Sequence, residues 1–107
     1  MIEVTDASFD EVVLNSTFPV LVEFWAVWCK PCQAVLPLLE SLEKEYQGRV
    51  LFVRVDVENN RETAQCYGIR ALPTMLYLKG GKVAKLQSGS LTKRENYRKL
   101  LDALIGA

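Results

Sequence analysis

The chain has 107 residues, of which 50% are apolar and 24% charged, proportions that are ordinary for a folded globular protein. Thirteen basic residues balance thirteen acidic ones and histidine is absent, so nothing in the charge favours a nucleic-acid partner, and histidine-based metal sites and general bases are excluded. Because no run approaches the ~18 apolar residues of a membrane helix and the first residues lack a secretion signal, we expect a cytoplasmic protein with no membrane or nucleic-acid partner.

Apolar patterning and turn residues divide the chain into predicted elements. In chain order these are a strand at residues 2–4, a helix at 8–15, a strand at 20–26, a helix from Cys29 or Pro31 to Gly48, a strand at 50–57, a helix at 61–67, strands at 74–78 and 82–87, and a last helix after Thr92. No linker or repeat interrupts them, so we expect one domain over residues 1–107.

Some segments carry signals that go beyond periodicity. The strand at 20–26 is too continuously apolar to be half exposed, which predicts a central strand covered on both faces. The run 79–81, Lys-Gly-Gly, predicts a hairpin turn. Capping side chains are expected at helix starts: Ser8 with Glu11, Thr92 with Glu95, and also Thr5 and Asp6. The order of elements predicts an α/β fold with a central mixed sheet of about five strands and about four helices on both faces.

Two cysteines with two residues between them lie where the strand at 20–26 leads into the second helix, in the run Trp-Cys-Lys-Pro-Cys at 28–32. Helix N-terminal N–H groups favour negative charge, so a thiolate is stabilised there. The short spacing lets the two sulfurs close on each other, which indicates reversible thiol–disulfide chemistry. A structural pair or half of a zinc site is the alternative, but zinc prefers four nitrogen or sulfur ligands and only Cys66 remains.

Glu23 is a carboxylate inside the otherwise apolar strand at 20–26. A charged carboxylate is costly to bury, so burial should raise its pKa. The alternative is a strand position that faces solvent. Arg54, on the adjacent predicted strand, either pairs with Glu23 and lowers the pKa of that acid or points to solvent.

Four segments, in order and at compatible spacings, resemble the thioredoxin family. Residues 24–32, FWAVWCKPC, resemble its active-site segment, and residues 67–74, YGIRALPT, resemble its second landmark, which carries a cis proline. Gly81 and Gly89 fall where the family has its late glycines, and the likeness runs from residue 9 to residue 104. The resemblance implies a thioredoxin fold and a protein-disulfide reductase that binds no cofactor and receives electrons from a thioredoxin reductase.

The resemblance also implies roles for three residues of the site. Cys29 would be the exposed nucleophile with a lowered pKa, which forms a mixed disulfide with a disulfide-containing target protein. Cys32, deeper and more buried, would resolve that intermediate. Thioredoxins usually have a buried aspartate at the position of Glu23, assigned as proton acceptor for the resolving cysteine, directly or through water.

Two residues between the cysteines would tune the first thiol. Pro31 limits the conformations of the helix start and lacks an N–H that is not needed there. Lys30 departs from the glycine that is usual in the family. It is either an inert surface residue or a positive charge that stabilises the thiolate.

The family likeness further implies a docking edge for an extended target peptide. A cis bond before Pro73 would present the Leu72 backbone to the peptide as one more strand. Ala71, Leu72, Gly89 and Trp28 would form a shallow apolar rim. The alternatives are an ordinary trans proline, a turn glycine and a tryptophan that belongs to the core.

Three questions stay open at this stage. Because Lys30 alters the dipeptide between the cysteines, an isomerase or oxidant of the same fold is an alternative function. A non-catalytic binding subunit that uses the groove around Trp28 and Pro73 is another. We expect a monomer, and we expect Cys66 to be a small buried apolar residue, with a regulatory or dimer-forming thiol as the alternative.

Overall fold

Five strands form one mixed sheet in the computed structural model, which describes residues 1–106. The strands are β1 (Ile2–Glu3), β2 (Val20–Trp25), β3 (Leu51–Asp56), β4 (Thr74–Lys79) and β5 (Lys82–Ser88). Their order across the sheet is β1-β3-β2-β4-β5. β1 and β2 run parallel to β3, whereas β4 is antiparallel to β2 and β5 is antiparallel to β4. The predicted mixed sheet is confirmed.

Four helical segments cover the sheet on both faces. They are a five-residue π-helix (Asp10–Leu14), α1 (Lys30–Glu45), α2 (Arg61–Cys66) and α3 (Arg94–Ile105). The long helices α1 and α3 bury their apolar stripes in one cluster with the sheet residues Leu21, Phe52 and Tyr77. The π-helix and Tyr67, the residue that follows α2, lie on the opposite face in a second cluster with Val22 and Phe24. The central position predicted for the strand at 20–26 follows from this double coverage.

Both predicted capping boxes are wrong, because a different local pair precedes the first helix and a tertiary contact holds the start of the last one. At the first helix the reciprocal bonds join Thr5 and Ser8, whose backbone N–H groups donate to each other's hydroxyl oxygens at 3.0 and 3.3 Å. The last helix begins at Arg94 without a capping side chain on Lys93. Arg94 instead donates to the hydroxyl of Ser41 on α1 at 2.6 Å, which ties the start of α3 to its neighbour.

The strand-to-helix junction after β2 fixes the first cysteine. The backbone N–H of Cys29 donates to the carbonyl of Ala26 at 3.1 Å, and Cys29 is the N-cap residue of α1. The two cysteines therefore lie just after the central strand β2, at the N-terminus of α1, the longest helix of residues 1–106. Within residues 1–106, no helix is long and apolar enough to cross a membrane.

Candidate active site

The two cysteines of the CxxC run are joined by a disulfide at the start of α1. The Cα atoms of Cys29 and Cys32 lie 5.3 Å apart. The Cys29 Sγ accepts a hydrogen bond from the backbone N–H of Cys32 at 3.2 Å. This N–H is one of the helix-start donors that have no partner inside the helix, and the helix dipole adds positive potential at the same point. After reduction, a thiolate on Cys29 would occupy a position built to stabilise negative charge.

The exposure of the cysteines corrects one expectation. Cys32 is 0% exposed and Cys29 only 3% exposed, so Cys29 is not the exposed residue that the family resemblance implied. In the disulfide form the sulfur of Cys29 is directed towards Cys32, and both pack with Ala26 and the side chain of Leu72. The predicted ranking, with Cys32 the more buried of the two, holds.

The Leu72–Pro73 segment lies beside the disulfide. The Leu72–Pro73 peptide bond is cis, as the resemblance implied, and the Leu72 side chain packs against the cysteine cluster. Pro73 is buried, and its carbonyl accepts the backbone N–H of Gly89 at 2.8 Å. Gly89 has φ +80°, a conformation that favours glycine. This bond joins Gly89 to the segment that contains two other predicted rim residues, Leu72 and the exposed Ala71.

Trp28 lies on the surface next to the dithiol. Its side chain is 65% exposed, so the alternative of a core tryptophan is wrong. The indole N–H donates to the Glu58 carboxylate at 2.7 Å, which holds the ring in one orientation. Val27 is equally exposed and extends the apolar surface. The sequence contained no signal for Glu58, because its role depends on a contact across 30 residues.

Glu23 is fully buried and paired, so the alternative of a solvent-facing carboxylate is wrong. Its Oε1 accepts a hydrogen bond from the Nε–H of Arg54 at 2.8 Å, whereas Oε2 has no partner among the described residues. Burial raises the pKa of Glu23 above its ordinary value of 4.5, and the neighbouring guanidinium opposes that rise. Both effects predicted from the sequence are present, and the effect of burial is the larger.

A second buried polar group supports the segment that carries Gly89. The Tyr77 hydroxyl donates to Gln87 Oε1 at 2.6 Å, and Gln87 Nε2 donates to the carbonyl of Gly89 at 2.9 Å. Two residues later, the Leu91 N–H donates to the Tyr97 hydroxyl at 3.0 Å. Burial raises the pKa of both tyrosines, so these hydroxyls stay neutral and keep their protons for hydrogen bonding. The sequence indicated Gln87 only as a strand end, and it missed this support.

The remaining predicted residues lie at the surface. Lys30 and Pro31 are exposed at the first two positions of α1. Cys66 is a free and exposed thiol, which corrects the expectation that it is buried, because the short helix α2 turns only Thr63 fully inward. Among residues 1–106, no group of three or more histidine, cysteine, aspartate or glutamate side chains is arranged to hold a metal ion.

This geometry defines a class of protein. A disulfide at a helix N-terminus, flanked by a cis proline and an exposed indole, is a redox pair rather than an internal cross-link, and the chain is a thiol–disulfide oxidoreductase. The family model for thioredoxin matches residues 1–103, so the chain belongs to the thioredoxin family. Its members reduce protein disulfides, and the predicted protein-disulfide reductase is confirmed.

Similar proteins from three bacteria agree with this assignment. A thioredoxin of Haemophilus influenzae is 40% identical over 95 residues, which cover 89% of each chain. A thioredoxin of Synechocystis sp. is 44% identical over 91 residues, or 85% of each chain. Thioredoxin 2 of Chlorobaculum tepidum is 44% identical over 98 residues, which cover 92% of this chain and 90% of its own.

Proposed function

We propose that Cys29 is the nucleophile of this reductase and Cys32 its resolving thiol. The Cys29 thiolate attacks one sulfur of a target disulfide, forms a mixed disulfide and releases the other target sulfur as a thiolate. The Cys32 thiolate then attacks the Cys29 sulfur, which releases the second target thiolate and closes the Cys29–Cys32 disulfide. The target gains two electrons and two protons, and the dithiol loses them. The N-cap position of Cys29, with its sulfur on a helix-start N–H, is the observation that carries this assignment.

We propose that Glu23 accepts the proton of Cys32. The carboxylate is buried, its Oε2 is free to bind a proton, and burial raises its pKa towards neutrality, where an acceptor works best. The Arg54 guanidinium opposes that rise and favours the ionised form, which is the form that accepts a proton. The proton travels directly or through one water molecule.

The target chain docks, in this proposal, along residues 71–73 and Gly89, with Trp28 at its side. The backbone of Leu72 faces the extended peptide, and apolar contacts from Ala71 and Trp28 exclude water around the sulfurs. The buried Gln87 side chain orients the Gly89 carbonyl through its hydrogen bond. This arrangement accepts many targets because most of its bonds go to peptide backbone.

The wider setting of the reaction follows from the chemistry. We propose that a thioredoxin reductase returns electrons to the disulfide by the same exchange, so that the domain itself binds no cofactor. A reducing compartment, the cytoplasm, keeps such a dithiol in its working form. A monomeric single domain over residues 1–107 is sufficient for this reaction.

Selective alkylation of the reduced protein tests the nucleophile. In a Cys66→Ser background, which removes the exposed free thiol, brief treatment with iodoacetamide near neutral pH should modify Cys29 and leave Cys32 unmodified. Peptide mapping by mass spectrometry measures the two sites separately. Faster modification of Cys32 than of Cys29 would contradict the proposed roles.

The exposed charge of Lys30 gives the oxidant alternative its one supporting observation. Equilibration of the protein with glutathione buffers should give the wild-type Cys29–Cys32 couple a reduction potential of about −270 mV, as expected for a reductase. Lys30→Gly should raise the pKa of Cys29 and make the couple more reducing by a small amount, because an exposed ammonium is screened by solvent. A wild-type potential near about −120 mV would favour the oxidant, and an unchanged potential in Lys30→Gly would make Lys30 inert.

A further inference from the structure

Arg54 lies between two carboxylates, one in the interior and one at the surface. Its Nε donates to Oε1 of the fully buried Glu23 at 2.8 Å, and its Nη1 lies 3.6 Å from Oε2 of Glu3. The side chain of Glu3 is 52% exposed, whereas that of Arg54 is only 12% exposed. One guanidinium therefore connects the buried acid of the active site to an acid in contact with solvent.

The sheet register makes this row of charges a consequence of the fold. Glu3 on β1 lies opposite Arg54 on β3, and Arg54 lies opposite Glu23 on β2. The three side chains thus stand side by side on three neighbouring strands. The row Glu3–Arg54–Glu23 is set by the pairing of the three strands and does not depend on one side-chain rotamer.

Trp25 fixes the outer half of the row. The Arg54 guanidinium carbon lies 4.0 Å from the centroid of the indole ring, and the indole N–H donates to Glu3 Oε1 at 3.3 Å. The indole ring thus makes a cation–π contact with the Arg54 guanidinium and a hydrogen bond to the Glu3 carboxylate. Glu3 is held where its charge acts on the guanidinium.

We propose that Glu3 is a positioning residue for proton transfer at Glu23, and that it acts by drawing Arg54 outward. A guanidinium shared with Glu3 stabilises the Glu23 carboxylate less than one committed to it alone, so Glu3 makes Glu23 a better proton acceptor. This inference rests on the proposed role of Glu23 as acceptor for Cys32. Another ionisable group whose charge interacts with Glu23 is Tyr97 on α3.

The direct test is a titration of the Glu23 carboxyl group by carbon-13 NMR in the disulfide form, in which the two active-site thiols do not titrate. Glu3→Gln should weaken proton binding by Glu23 about twofold to fivefold, the range expected for one exposed ion pair. Glu40→Gln, which removes the same charge from an exposed position of α1, is the matched control and should leave the titration unchanged. An unchanged Glu23 titration in Glu3→Gln would overturn the proposal.

A second pair of variants separates an effect through Arg54 from a direct field. In an Arg54→Met background, the added Glu3→Gln change should alter the Glu23 titration much less than it does in the wild type. An effect of the same size in both backgrounds would show that Glu3 acts through space and would overturn its positioning role. High salt should bring the wild type close to Glu3→Gln, because the outer pair is open to solvent.

Kinetics distinguishes a failure of this inference from a failure of the proposed acceptor. If Glu23 takes the Cys32 proton, the acid limb of the pH profile for resolving the mixed disulfide should move to lower pH in Glu3→Gln, together with the NMR titration. A titration that moves while the pH profile stays in place would leave the coupling of Glu3 to Glu23 intact. It would remove Glu23 from the proton transfer, and with it the catalytic part of the proposal.

Discussion

Replacing Cys29 by serine should reduce the turnover of a protein disulfide such as insulin to the background rate. The serine hydroxyl is not ionised at neutral pH, so the helix N-terminus that holds the Cys29 sulfur has no thiolate to stabilise. Replacing Cys32 by serine should also stop turnover, but at a later step. Cys29 can then attack the target, and the mixed disulfide persists because nothing resolves it.

The two variants are distinguished by their products. Cys32→Ser should accumulate a covalent complex with the target on a non-reducing gel, and Cys29→Ser should not. Both are made in the Cys66→Ser background, since an exposed third thiol could form adducts of its own. A covalent complex in Cys29→Ser, or full turnover in Cys32→Ser, would contradict the assigned order of the two sulfurs.

The same pair of variants tests the interpretation as a non-catalytic binding subunit. The exposed Trp28 and the edge around Pro73 remain intact when a sulfur is replaced by oxygen. If a physiological partner keeps its function with Cys29→Ser, docking alone is sufficient for that partner. Loss of function in that variant requires the thiol.

The fold could be predicted from the sequence because its signals are local. The continuous apolar run at 20–26 indicated a twice-covered strand, and the strand has both an α1–α3 face and a π-helix face. Gly80 and Gly81 of the predicted hairpin have φ +60° and +76°, a local conformation that favours glycine, and a tertiary contact adds a second constraint at Gly81. A Cβ on Gly81 would lie 2.9 Å from the carbonyl oxygen of Leu14, so only glycine fits that approach.

Helix starts were predicted less well, because capping is a competition that distant residues can win. Asp6 was expected to cap the first helix, next to it in sequence. It instead accepts bonds from the backbone N–H and the hydroxyl of Thr63 at 2.9 and 2.6 Å, and these bonds lower the pKa of Asp6. Its carboxylate caps α2 across 57 residues. Spacing along the chain contains no information about such a partner.

In the active site, too, residues whose partners are distant in sequence could not be predicted. The cysteines and the proline were found because their chemistry lies in contiguous motifs, and Glu23 was found because it interrupts an apolar strand. Whether Arg54 meets Glu23 depended on the register of β2 against β3, which the sequence left open. Glu58 and Gln87 were missed because an isolated polar residue has no signal until its partner is placed.

Replacing Arg54 by methionine should destabilise the protein by an amount that grows with pH. Burial already raises the pKa of Glu23 above 4.5, so the stability that the protonated acid contributes below about pH 4.5 is lost as the pH rises through the folded-state pKa. Without Arg54 the pKa of Glu23 rises further, and the loss extends to higher pH. Because Glu23 can take up a proton, the ionic penalty at pH 7 cannot exceed the cost of protonating an ordinary glutamate there, about 3.5 kcal/mol at about 1.4 kcal/mol per pH unit.

Urea unfolding of the disulfide form between pH 4 and pH 8 measures this effect. At pH 4 the variant should lie within about 1 kcal/mol of the wild type, since methionine keeps most of the apolar packing on Trp25 and loses only the cation–π contact. Arg54→Lys should show a weaker pH dependence, and Arg54→Met combined with Glu23→Gln should show none from this pair. An equal loss at pH 4 and pH 7 would assign the effect to packing instead of charge.

The stability of Arg54→Met also bears on the reaction. If the variant holds Glu23 protonated at neutral pH, the carboxyl group can no longer accept the Cys32 proton, and resolution of the mixed disulfide should slow as stability falls. Arg54 and Glu3 then act in opposite directions on one carboxylate. If Arg54 pairs with Glu23 alone, the carboxylate binds a proton too weakly to be a good acceptor. If Arg54 is absent, Glu23 stays protonated and cannot accept. An intermediate proton affinity therefore requires both Arg54 and Glu3.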